Sequence, residues 1–117
     1  MLRLWRATIN SRNGLAFAVH SEQAVREEVV ALLLALPLAW LVGTTAMRTV
    51  ELVCAVALVL VVELLNTAIE KLADRLTTEH DLQIGRVKDL GSAAVGVALL
   101  TSGAFWLFAL AERVGLL

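Results

Sequence analysis

Three long apolar runs organise the chain. Val29 to Met47, VVALLLALPLAWLVGTTAM, carries no charge over nineteen positions; Leu52 to Ile69 carries only Glu63; Leu90 to Ala111 is uncharged over twenty-two. A helix needs about 20 apolar residues to cross the hydrocarbon core of a bilayer, so the pattern predicts membrane helices over about 29–47, 51–70 and 90–112. Pro37 lies inside the first and predicts a bend that neighbouring helices can accommodate. Gly91, Ser92, Ala94, Gly96, Ser102 and Gly103 in the third leave room for another helix to approach closely, as membrane bundles require.

The N-terminal segment follows a different pattern. Leu2, Leu4, Trp5, Ile9, Leu15, Phe17 and Val19 are interspersed with Arg3, Arg6 and Arg12. This predicts an amphipathic helix over about 1–25 lying in the membrane interface, with Gly14 a point of interruption. Without a continuous apolar core, residues 1–20 are not expected to be a cleaved signal peptide. The fold expected is an all-α membrane protein: one surface helix and three transmembrane helices in a single domain of 117 residues.

Composition supports lipid as the surroundings: 59% of residues are hydrophobic and the mean hydropathy is +0.79. Ten basic and eleven acidic residues give a net charge of −1, which argues against nucleic acid as a partner. Cys54 is the single cysteine, so neither an intramolecular disulfide nor a cysteine metal site is available. No GxxxxGK[ST] or GxGxxG motif occurs, and His20 and His80 lack metal-type spacing. Arg3, Arg6, Arg12 and Arg26 precede the first span and Lys71, Arg75, Arg86 and Lys88 follow the second, whereas only Arg48 and Arg113 flank the opposite side. The positive-inside rule then places the N terminus and the 70–89 loop in the cytoplasm.

Within this apolar framework, VELLNTAIEKLADR at 62–75 is anomalous. At about 100° per residue, Asn66 lies about 60° from Glu63, while Glu70 and Asp74 lie within about 20° of it, so one helix face carries three acids and an amide. A charge at the depth of Glu63 costs on the order of 3 kcal/mol on insertion scales. Glu63 could serve as buried polar glue between helices, but the repeated spacing favours an oxygen-rich face able to hold a hard cation. Two further clusters flank it. In HSEQAVREE, 20–28, Glu22 could pair with Arg26 or complete a divalent-metal site with Glu70; in EHDLQIGRVKDLG, 79–91, Arg86, Lys88 and the glycines could contact phosphate or simply anchor the helix at the membrane border.

VELLNTAIEKLADR followed by GRVKDLGSAAV, with SEQAVREE upstream and three spans at this spacing, resembles the prokaryotic integral-membrane diacylglycerol kinases over nearly the whole chain. The resemblance implies a homotrimer with active sites shared between protomers in the bacterial inner membrane. It also implies transfer of the γ-phosphoryl of MgATP to diacylglycerol, giving phosphatidic acid and ADP. On this chain it implies Glu63 as general base, Asn66 beside it, and Glu22 and Glu70 as magnesium ligands. ATP contacts are implied at Arg3, Asn10, Glu22, Glu70, Glu79, His80, Asp81, Lys88 and Asp89, and lipid contacts at Arg3, Arg26, Glu28, Glu63 and Ser92. Val25, Glu27 and Asn10 depart from the family's usual residues, which bears on the lipid and adenine contacts but leaves the acidic positions intact. Two other readings are an undecaprenol kinase of the same family and a non-catalytic proton or cation pathway built around Glu63.

Overall fold

The computed structural model describes residues 1–77 and 79–117. The described residues form four α-helices: α1 (Leu2–Ser21), α2 (Gln23–Val42), α3 (Ala46–Leu76) and α4 (Leu82–Arg113). The most extensive packing is of α3 against α4 and of α2 against α3; α1 packs against α2.

The expected surface helix over 1–25 is divided. Glu22 adopts an extended conformation (φ −121°, ψ 117°), ending α1 at Ser21 and starting α2 at Gln23. Arg26 stabilises this corner: its Nη1 donates to the carbonyls of Val19 and His20, both at 3.0 Å. These are end-of-helix carbonyls with no intrahelical partner, and a cation there also opposes the negative end of the helix dipole. Arg26 therefore does not pair with Glu22 as one sequence reading allowed. Gly14 does not interrupt α1, and α2 continues through Pro37.

The first expected span, 29–47, ends early, at Val42. Gly43 turns the chain, and the Thr45 hydroxyl caps α3 by accepting from the Arg48 amide at 3.1 Å. The Thr49 hydroxyl donates to the Ala39 carbonyl across the corner at 3.2 Å. A Cβ at Gly43 would lie 2.9 Å from both that carbonyl and the Thr49 amide nitrogen, so only glycine allows the two helices to meet this closely. Threonines end the apolar run because their side chains compete for backbone groups and favour caps over helix interiors. The segments expected at 51–70 and 90–112 lie within α3 and α4, which are long and apolar enough to cross a membrane. Both helices also extend into the 70–89 region read as a loop.

Burial is confined mostly to small side chains. Ala39, Leu52 and Ala109 form a core joined by Val42, Val53 and Trp106. Leu33, Leu34, Leu58, Leu65, Leu100 and Leu107 instead face outward. Helices that meet through small residues and present leucine to their surroundings fit a lipid solvent, where burial of large apolar groups drives nothing.

At the α2–α3 corner, Glu112 near the end of α4 accepts from Arg48 Nε at 3.0 Å and Nη2 at 3.3 Å and from Thr44 Oγ1 at 2.9 Å. Arg48 also reaches Glu51 at 2.6 Å and lies 5.1 Å from the centroid of the Phe108 ring. The fork-to-fork pair joins α3 to α4, and Thr44 ties the same carboxylate to the α2–α3 corner, whereas Glu51 joins one turn of α3 to itself. Glu112→Gln is therefore expected to lower the thermal midpoint of the detergent-solubilised protein by several degrees, and Glu51→Gln by clearly less. Equal shifts in thermal unfolding would show that the clamp does not tie α4 to the corner.

Candidate functional site

The polar face of α3 turns inward. Glu63 is 9% exposed and Asn66 8%, and Thr67 beside them is also buried. Glu70, one turn further on, is half-buried, and Asp74 is exposed. The stripe thus runs from the interior of the bundle to its surface, as helical periodicity requires once one end of the face is covered by α4. Asn66 Nδ2 donates to Glu70 Oε1 at 3.2 Å, linking the two residues. Glu28 of α2, then Glu70 and Glu27, lie near enough for their charges to act on Glu63.

Two lysines bind the rim of this stripe. Lys71 Nζ sits 2.7 Å from Glu22 Oε1 and 5.5 Å from the centroid of the Phe17 ring, joining α3 to the α1–α2 corner. Lys88 Nζ lies 2.5 Å from Asp74 Oδ1, joining α4 to the end of α3. Neither pairing follows from sequence spacing, because in each the partner lies in an element distant along the chain, the α1–α2 corner for Lys71 and the end of α3 for Lys88. Asp74, the outermost acid of the stripe, thus gains a partner.

Beyond this pair, a polar cavity of about 330 Å³ opens between the end of α3 and the start of α4. It gathers Glu79, His80, Asp81 and Lys88 around Asp74, bringing together four of the residues expected to contact nucleotide. Asp81 also caps α4, its Oδ1 accepting from the Ile84 amide at 3.0 Å. Arg3 and Asn10 are exposed on α1 and Asp89 and Ser92 are exposed on α4; none of the four lines this cavity. Arg26 is occupied by the α1 carbonyls. Among the described residues, no three acidic, histidine or cysteine side chains converge as a ready-made metal cage.

On the other side of Glu63, an apolar groove of about 380 Å³ lies among α2, α3 and α4. Glu28 stands at one end, and Ala35, Val59, Ser102 and Trp106 line its length. The Trp106 Nε1 is buried without a hydrogen-bond partner among the described residues. The sequence reading did not single out Trp106, since one aromatic in an apolar helix gives no distinguishing signal.

An all-helical membrane protein in which a buried acid and amide separate a greasy groove from a polar cleft is suited to chemistry at the boundary between lipid and water. A family model for prokaryotic diacylglycerol kinase matches residues 9–110. The diacylglycerol kinase of Escherichia coli strain K12 is 40% identical over 113 residues, covering 97% of this chain and 93% of that protein. Those of Haemophilus influenzae and Pseudomonas aeruginosa are 37% and 35% identical, covering 91% and 89% of this chain and 90% and 85% of theirs. The chain belongs to the prokaryotic diacylglycerol kinase family, and it is accordingly an enzyme, a lipid kinase of the membrane.

Proposed function

We propose that the protein transfers the γ-phosphoryl of MgATP to the free hydroxyl of diacylglycerol, giving phosphatidic acid and ADP. The observation that carries this reading is the position of Glu63, buried on the apolar part of α3 and followed on the same face by Asn66, Glu70 and the polar cleft. A lipid hydroxyl is held near the membrane interface by its acyl chains, so a base for it must be buried, while the nucleotide must remain in water. Glu63 takes the hydroxyl proton as the lipid oxygen bonds to the γ-phosphorus and the bond to the β-γ bridging oxygen breaks. Glu28 and the adjoining groove bind the lipid, together with Arg3, Arg26 and Ser92. Glu79, His80, Asp81, Lys88 and Asp89 engage the nucleotide, with Arg3 and Asn10 reaching it from α1.

Glu22 and Glu70 would hold magnesium. Two carboxylates suit this ion, which keeps several waters and takes its remaining oxygens from substrate phosphates rather than from an all-protein cage. Magnesium supplies charge neutralisation at the phosphates. Glu70 is half-buried and oriented by Asn66, and Glu22 must exchange its contact with Lys71 for the ion.

We further read α2 as a third membrane crossing, since its uncharged stretch lies alongside α3, and the N terminus and α3–α4 connection as cytoplasmic by the positive-inside rule. The outward-facing leucines and the separation of Arg3 and Asn10 from the cleft support a homotrimer in which a neighbouring chain completes each site.

The test is transfer of label from γ-labelled ATP to short-chain diacylglycerol by the purified protein. Labelled phosphatidic acid supports the assignment. Label entering undecaprenol in preference would move the acceptor to that lipid alcohol, and label in neither would return Glu63 to a non-catalytic ion pathway.

A further inference from the structure

We propose that Gly91 is a positioning residue: it fixes the side-chain amide of Asn66 and, through it, the carboxylate of Glu70. This rests on the reading of Glu70 as a ligand of the metal–nucleotide complex. Gly91 is buried where α4 meets α3. A Cβ at this position would collide with Asn66 Oδ1 and lie 3.2 Å from its Cγ. The other glycines of α4 differ: around Gly85, Gly96 and Gly103 a Cβ would meet nothing within 4 Å. Among the described residues the close approach along α4 is therefore local to Asn66.

The chemistry of the amide explains why this matters. An ionised carboxylate only accepts hydrogen bonds, so Asn66 must turn its Nδ2 toward Glu70. That turns Oδ1 toward α4, where it is buried and, among the described residues, finds no N–H or O–H donor. The backbone of Gly91 fills that direction, and a glycine Cα–H offers the weak C–H···O contact common at close helix crossings. A flipped amide would set its oxygen against the carboxylate and bury an unpaired N–H, which is worse on both sides. A methyl group at 91 drives Oδ1 away, and because both ends of the amide move together, Nδ2 leaves Glu70.

The test is a double-mutant cycle on the full-length protein, measured with MgATP and short-chain diacylglycerol. Asn66→Ala and Gly91→Ala are each expected to lower kcat by about tenfold or more, and Gly91→Ala to raise the KM for MgATP while leaving that for diacylglycerol within about twofold. In the Asn66→Ala background the added Gly91→Ala should cost less than about twofold, because the residue it acts through is gone. If Gly91→Ala alone does not fold, the double variant should recover the thermal midpoint of Asn66→Ala, since the truncated side chain removes the collision. Additive losses in kcat, a folded Gly91→Ala with an unchanged KM for MgATP, or a double variant that fails to recover would each overturn the proposal. Wild-type turnover in Asn66→Ala would overturn it together with the assignment of the Asn66–Glu70 pair, whereas additivity with an impaired Asn66→Ala leaves that assignment standing.

Discussion

Glu63→Gln is expected to lower kcat by about 10²–10⁴-fold, the usual contribution of a positioned general base. The amide has the same shape but cannot take the proton that the lipid hydroxyl must lose. Nucleotide affinity should survive, because the cleft holding Glu79, His80, Asp81 and Lys88 lies beyond the other end of the stripe. The protein should not be destabilised either. Glu63 is buried, so an amide of the same shape keeps the packing and leaves no charge to be desolvated there. Steady-state kinetics, nucleotide binding and thermal unfolding, measured together, separate a lost base from a lost fold. Turnover within about threefold of wild type would remove Glu63 from the proton-transfer role.

Glu70→Gln should fail in a different way. A carboxamide retains one neutral oxygen and loses the charge that attracts a divalent ion, so the magnesium concentration needed for half-maximal ATP binding should rise by about tenfold or more. The defect should shrink as magnesium is raised, whereas that of Glu63→Gln should not. Nucleotide binding titrated at several magnesium concentrations provides the check. An unchanged magnesium dependence would mean that Glu70 serves another purpose, such as orienting Asn66.

The two variants probe residues that the sequence placed on one face of one helix. The Glu63, Asn66, Glu70 and Asp74 stripe was legible because it depends on the period of one helix and on the contrast between charge and an apolar run. Helix ends were less legible. Gln23–Val42 and Ala46–Leu76 meet inside the stretch expected as one span at 29–47, because the Gly43 corner depends on how closely Thr49 approaches Ala39. The corner at Glu22 similarly depends on Arg26 reaching back to Val19 and His20. Hydropathy alone gives no signal for such local capping.

The amino-acid sequence by itself determined the solvent, the helical class, the polar stripe and the family motifs, all of which are properties of composition or of a single helix's repeat. Tertiary structure alone decided which groups meet: Lys71 with Glu22, Lys88 with Asp74, Arg48 with Glu112, and Asn66 with the bare backbone of Gly91. The physical reason is that a helix's own periodicity says which residues share a face. What stands opposite that face depends on the register and closeness of helices far apart in the chain, and these follow from packing among small residues such as Ala39, Gly91 and Ala109.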